Sequence, residues 1–225
     1  MPNFMRFQSA FLVLVFGVFV MPFFRSHASE RLPKPAADLP LKQGETKRTA
    51  VFAGGCFWCT EAVFKQIKGI ISVGSGYAGD TKETADYKTV CTGMTKHAES
   101  IRFEYDPSQI SYGQLLQIFF TAHDPTTLNR QGNDHGTQYR SAIFYANDDE
   151  KKVAEAYIKQ LNDAKIFPSK IVTSLEPLKE FYPAEDYHQN YVALHPDQPY
   201  VQACSLPKVQ KIREIFKDWL KPDGK

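Results

Sequence analysis

Cys56 and Cys59 stand three residues apart in Gly54-Gly55-Cys56-Phe57-Trp58-Cys59-Thr60-Glu61. Thiols at this spacing can serve as a nucleophile, a redox pair or half of a metal site. Residues 49–53 are apolar and read as a buried strand; residues 61–67 are amphipathic and read as a helix. The two glycines then make a strand-to-helix turn with Cys56 at the helix start. Unpaired N–H groups and a partial positive charge gather there, so a depressed Cys56 pKa is expected. Phe57 and Trp58 set large apolar surfaces beside it. The plainer readings are a structural zinc pair or an inert buried thiol. No second Cys/His pair with ligand spacing follows, so no metal is expected.

The other elements must hold that turn. The 225 residues carry a formal net charge of +2, which excludes a strongly basic nucleic-acid binder. The length suits one core, and 17 Phe and 11 Tyr suit an aromatic-lined site. Arg6, the apolar run 10–20 and Ser26-His27-Ala28 read as a signal peptide over residues 1–28. Membrane contact is expected only through that segment. An uncleaved anchor is the rival, but the run is short and ends at Pro22. Export, periplasmic or secreted, places the chain in an oxidising compartment. Four cysteines there allow two disulfides in three pairings. Residues 29–47, rich in Pro, Lys and Glu, read as a flexible linker.

Further on, residues 69–74 read as a strand that ends in the glycine-rich loop 74–80. That loop lacks the Lys-Ser/Thr ending of a phosphate loop. A short helix is expected over residues 85–91. Residues 98–105 alternate polar and apolar, as a half-buried strand does. Ser111 caps an amphipathic helix, residues 112–122. Residues 123–140 have no period, and their polar density marks a functional loop. A strand over 141–145, a helix from Asp148 or Asp149 to about 164, a strand over 171–175 and a helix over 208–220 complete the pattern. Few, short, alternating strands favour an α+β two-layer sheet-and-helix sandwich over a doubly wound fold.

Several irregular motifs now line up in order. They are Gly54-Gly55-Cys56-Phe57-Trp58, Gly76-Tyr77-Ala78-Gly79, His97-Ala98-Glu99, Tyr105-Asp106-Pro107 and His123-Asp124-Pro125-Thr126. Asn129-Arg130-Gln131-Gly132, Gly136-Thr137-Gln138-Tyr139-Arg140-Ser141 and Ala184-Glu185-Asp186-Tyr187-His188-Gln189 follow. From about residue 50 to 191 the chain resembles the A-type methionine sulfoxide reductases, the peptide-methionine (S)-S-oxide reductases. Asp80 and Lys96 stand where the family commonly has glycine, beside the matched motifs. The resemblance implies a ferredoxin-like core and a catalytic domain over residues 48–200, followed by a tail and helix, 201–225. It also implies reduction of methionine-S-sulfoxide, free or in proteins, with no cofactor and a thioredoxin-like dithiol as external reductant. A monomer is expected.

A sulfoxide sulfur accepts a nucleophile only when its oxygen is protonated or strongly hydrogen-bonded, so the reaction needs a thiolate, an acid and donors. Cys56 is the thiolate. The resemblance makes Glu99 the acid, and a carboxyl against Phe57 and Trp58 would have a raised pKa. By alternation alone Glu99 reads as a solvated strand residue. The resemblance assigns Tyr87 and Tyr139 as donors to the sulfoxide oxygen, where packing is the plainer role. It gives Asp134 a polar network, where an Asx-turn would serve, and gives Phe57 and Trp58 the substrate methyl group. His188 orders the site or is a satisfied core histidine. The Cys56 sulfenic acid formed by oxygen transfer condenses with a second thiol, Cys59 or alternatively Cys204. Cys59 is favoured because a helical first turn brings it within disulfide range, whereas Cys204 lies in a stretch expected to be mobile. Cys91 is expected to pack as a small hydrophobe.

Three other classes compete: a general thiol–disulfide oxidoreductase, a Cys-His hydrolase using His97, His123 or His188, and a binding module stapled by disulfides.

Overall fold

The computed structural model describes residues 31–222, so the expected signal peptide, residues 1–28, lies outside the described residues. The elements in chain order are β1 (Arg48–Gly54), α1 (Phe57–Lys65), β2 (Ile70–Ala78), α2 (Tyr87–Val90), β3 (Ala98–Tyr105), α3 (Tyr112–Ala122), β4 (Arg130–Gln131) and β5 (Asp134–His135). There follow β6 (Ser141–Tyr145), α4 (Asp148–Asp163), β7 (Ser174–Pro177), β8 (Phe181–Pro183), α5 (Tyr191–Leu194) and α6 (Leu206–Ile215). This is a mixed α+β molecule. Its six-stranded sheet runs β7-β6-β1-β3-β2-β8, with β4 and β5 a separate hairpin. All six-strand neighbours are antiparallel except β6 and β7.

Parity explains the two faces. Side chains alternate along a strand, so Glu99, Ile101, Phe103 and Tyr105 share one face of β3. Phe52 of β1 meets Phe103 at 5.2 Å and Phe119 of α3 at 5.0 Å between ring centroids, so this is the face that α1 and α3 cover. Val51, Ala53, Ala98, Ala142 and Phe144 form a smaller cluster with Phe181. β3 is therefore covered on both sides, and only Arg102 among its residues is exposed. The half-buried strand expected from its alternation is corrected here. Of its polar residues, Glu99 is the pocket carboxyl and Ser100 is buried, its hydroxyl bonding the Ala98 carbonyl at 2.9 Å.

The expected glycine loop 74–80 is also corrected, because β2 continues through it to Ala78. The glycines serve close approach instead: a Cβ on Gly76 would stand 2.3 Å from both the Phe181 ring and the Tyr182 carbonyl oxygen. The expected helix over 85–91 is one turn, capped by Asp86 accepting from the Thr89 N–H at 3.0 Å. The expected strand over 171–175 forms three residues later, where Ser174 pairs with Ala142. The α3 bounds and the Ser111 cap are as expected, and Gln114 completes a capping box there.

Residues 31–47 have no regular structure, yet they do not hang free. Tyr157 Oη donates to the Pro33 carbonyl at 2.9 Å, and Gln160 Oε1 accepts from the Ala36 N–H at 2.9 Å. Asp38 accepts from the Gly113 N–H at 2.8 Å and from the Ser111 hydroxyl. These partners lie 73 to 124 residues away, beyond the reach of local pattern.

Candidate active site

Gly55 turns the chain from β1 into α1 with φ +87°, and a Cβ there would overlap Gln131 at 2.6 Å. Cys56 is the residue capping α1, and its carbonyl accepts from the N–H groups of Cys59 and Thr60 at 3.2 and 3.3 Å. The Phe57 N–H points elsewhere. It donates to Glu99 Oε2 at 3.0 Å, so β3 and the start of α1 are joined at the thiol.

Glu99 is 2% exposed. Burial pushes its carboxyl up to about 8, against the lowering pull of the Phe57 N–H and with a further upward push from Asp134. It is therefore protonated near neutral pH.

The thiols correct an expectation. Cys56 is held well above its ordinary value, chiefly by burial and then by its hydrogen bond to Cys59. Cys59 is lowered to about 6, chiefly because Cys56 bonds to it, helped by Lys208, Ser205 and Tyr200. Helix starts favour thiolates, but the first free N–H of this one is taken by Glu99. The two buried thiols are joined by a hydrogen bond that pushes Cys56 up and Cys59 down.

Tyr87 at the start of α2 and Tyr139 at the end of the 137–139 turn both feel Glu99 and Cys56 electrostatically, so the structure brings these four together. Burial raises both phenols, keeping them as donors. Phe57 is 1% exposed and packs on Tyr77 and His188 at 5.8 and 5.0 Å. Trp58 stacks on Tyr191 at 3.7 Å and its Nε1 donates to His188 Nδ1 at 3.1 Å. Asp134, in the β4–β5 hairpin, accepts from Tyr200 Oη at 2.6 Å.

Tyr200 escaped the sequence reading. Its hydroxyl also bonds Cys56 and lies near Cys59, which makes it the link between the thiols and Asp134. The signal was only a tyrosine between Pro199 and Val201. Glu61 was missed as well. It is 2% exposed and accepts from Ser75 Oγ at 3.1 Å and the Asn190 N–H at 3.0 Å, fixing α1 against β2 and residues 184–190.

Cys204 sits in the π-helical turn Val201–Ser205, packed against the core. This corrects the mobile stretch expected around it. Ser205 Oγ lies 3.2 Å from Cys59 Sγ, and Cys204 feels Cys59 electrostatically. Cys91 is exposed, not packed as a small hydrophobe, because α2 ends before it. All four thiols are unpaired. Among the described residues no cluster of three or more His, Cys, Asp or Glu could hold a metal ion.

Two of the candidate bases, His123 and His97, are engaged elsewhere. His123 bonds the Phe119 carbonyl and Ser141 Oγ, both at 2.7 Å, and burial lowers it to about 4. His97 bonds the Thr81 carbonyl at 2.9 Å.

A mixed α+β fold with a buried thiol pair beside a protonated carboxyl defines a thiol-dependent oxidoreductase. The family model described as peptide methionine sulfoxide reductase matches residues 48–220, and the chain belongs to that family. It is 52% identical over 176 residues to peptide methionine sulfoxide reductase MsrA 2 of Mesorhizobium japonicum, covering 78% of this chain and 90% of the relative. It is 48% identical over 208 residues to MsrA 2 of Synechocystis, covering 91% and 97%. Among solved structures, reduced Mxr1 of Saccharomyces cerevisiae aligns with TM-score 0.61 and 35% identity over 70% of this chain and 90% of that one. Methionine sulfoxide reductase A of Corynebacterium diphtheriae aligns with TM-score 0.59 and 34% identity over 73% and 82%.

Proposed function

We propose that the chain reduces methionine-S-sulfoxide, free or in proteins, to methionine through a Cys56 sulfenic acid and then an intramolecular disulfide. One observation carries the reading: Glu99, protonated by burial, is bonded to the first N–H of the helix that Cys56 caps. Glu99 gives its proton to the sulfoxide oxygen, and Tyr87 and Tyr139 donate hydrogen bonds to it. Cys56 sulfur attacks the substrate sulfur while its proton passes to Cys59. The new S–S bond and the substrate S–O bond then break as the hydroxyl passes to the Cys56 sulfur, so that methionine leaves and Cys56 is left as sulfenic acid. Phe57 and Trp58 enclose the methyl group. Cys59, now a thiol, displaces water from Cys56 to form the disulfide, and an external thioredoxin-like dithiol reduces it by exchange. Cys204, beside Cys59, is the alternative second thiol.

The run β1-α1-β2-β3-α3-β6, with sheet order β6-β1-β3-β2, supports the ferredoxin-like reading of the core. The composition of residues 1–28 supports export, and with it repair of oxidised exported proteins by a monomeric enzyme.

The test is turnover of the separate S and R epimers of a methionine sulfoxide peptide with a thioredoxin-type reductant. Methionine should form from the S epimer alone, and not with Cys56→Ser. Equal turnover of both epimers, or turnover by the Cys56→Ser variant, refutes the reading.

A further inference from the structure

Glu185 lies outside the constellation described above, yet it touches three walls of the pocket. One carboxylate oxygen, Oε1, accepts from the backbone N–H of Tyr87 at 2.9 Å. The other, Oε2, accepts from Tyr77 Oη at 2.9 Å. Tyr77 is the cross-strand partner of Glu99 in the β2–β3 register, and its ring packs on Phe57. The same Oε2 lies 3.9 Å from His188 Nε2. Trp58 donates to His188 Nδ1, so that nitrogen is an acceptor and Nε2 carries the proton. His188 is 1% exposed, and Nε2 has no hydrogen-bond partner. The His188 ring also packs on the Tyr87 ring at 4.4 Å.

We infer that Glu185 is a positioning residue for sulfoxide reduction, holding Tyr87, whose hydroxyl bonds Cys91 in the resting site, at the pocket wall by clamping the start of α2 to Tyr77 of β2 beside the His188 ring. α2 is a single turn. So short a helix has little stability of its own, and its position depends on what holds its first residue. Asp86 caps the turn internally through Thr89; Glu185 ties it to the rest of the molecule. A hydroxyl that must meet one oxygen in the transition state is sensitive to small displacements of its backbone.

The inference rests on the proposed role of Tyr87 in turnover, so its test has one arm that needs no turnover. In that arm, amide hydrogen exchange at Tyr87 is compared in the wild type, Glu185→Ala and Glu185→Gln. Exchange should rise at least tenfold in Glu185→Ala and stay near the wild type in Glu185→Gln, whose amide oxygen still accepts from Tyr87 and whose amide nitrogen donates to Tyr77. Unchanged exchange in Glu185→Ala overturns the clamp whatever the enzyme's activity. In the kinetic arm, Glu185→Ala should lower kcat by roughly 10- to 100-fold with KM held within about threefold, and Glu185→Gln should restore it. In a Tyr87→Phe background the same alanine change should cost less than about threefold, since residues acting through one another are not additive. An equal loss in both backgrounds would mean that Glu185 supports the fold at large and would overturn its positioning role. A wild type inactive on sulfoxide would strike the functional reading alone, and the exchange result would still judge the clamp.

Discussion

The Phe57 N–H and the Glu99 carboxyl meet at 3.0 Å across 42 residues of sequence. That bond ties β3 to the start of α1 at the thiol. It holds a protonated carboxyl at the start of the helix that Cys56 caps, and it leaves burial as the main force that keeps the Cys56 thiol high.

Replacing Glu99 by Gln keeps the shape and the acceptor for Phe57 but removes the transferable proton. Sulfoxide reduction should fall by roughly 10²–10⁴, while alkylation of the thiol pair continues. Wild-type single-turnover rates should also decline as pH rises through about 8, where Glu99 ionises. Stopped-flow measurement across pH checks both, and an unchanged rate in Glu99→Gln removes Glu99 from the role of acid.

The same group should write itself into stability. A carboxyl whose folded pKa, about 8, exceeds its ordinary 4.5 binds its proton more tightly when folded. The fold therefore loses stability as pH rises from about 4.5 to about 8. Glu99→Gln lacks this dependence, so its melting temperature should exceed that of the wild type at pH 9 and the gap should close toward pH 5. A gap that stays constant contradicts the burial argument.

The thiol pair should titrate as a unit. Thiolate absorbance should rise near pH 6, where Cys59 ionises. In Cys59→Ala the low transition should vanish, leaving Cys56 to ionise only at high pH because it is buried. A persistent transition near pH 6 in Cys59→Ala would place the thiolate on Cys56.

After one equivalent of sulfoxide without reductant, peptide mapping should find a Cys56–Cys59 link. A Cys56–Cys204 link, kept in Cys59→Ala together with full recycling by thioredoxin, would make Cys204 the second thiol. The packed position of the Val201–Ser205 turn against α1 leaves that route short, so the experiment discriminates.

Gly76→Ala should destabilise the fold by about 1–3 kcal/mol, because the added methyl collides with Phe181 and with the backbone of Tyr182. Chemical denaturation measures it. A neutral result would mean that β8 can shift outward at no cost.

Short-range chemistry was legible in the residues alone. A strand, two glycines, a cysteine and an amphipathic run specify the β1–α1 turn, and Ser111 with Gln114 specifies the start of α3. The ordered motifs pointed to the family, and with it to Cys56, Glu99, Tyr87, Tyr139 and Asp134. Tertiary structure alone decided what surrounds them. Glu99 sits on an alternating strand that looks solvated, and it becomes a protonated pocket carboxyl only because β1 and β2 flank β3 while α1 covers that face. Cys59 is lowered chiefly by its bond from Cys56, and Lys208 and Ser205, the latter 146 residues away, add to it. The Tyr200–Asp134 bond and the anchoring of residues 31–47 likewise join points 66 or more residues apart. Local periodicity reports which face of an element is apolar. It carries no record of which distant element will close over that face, and burial by such an element is what moves the protons at this site.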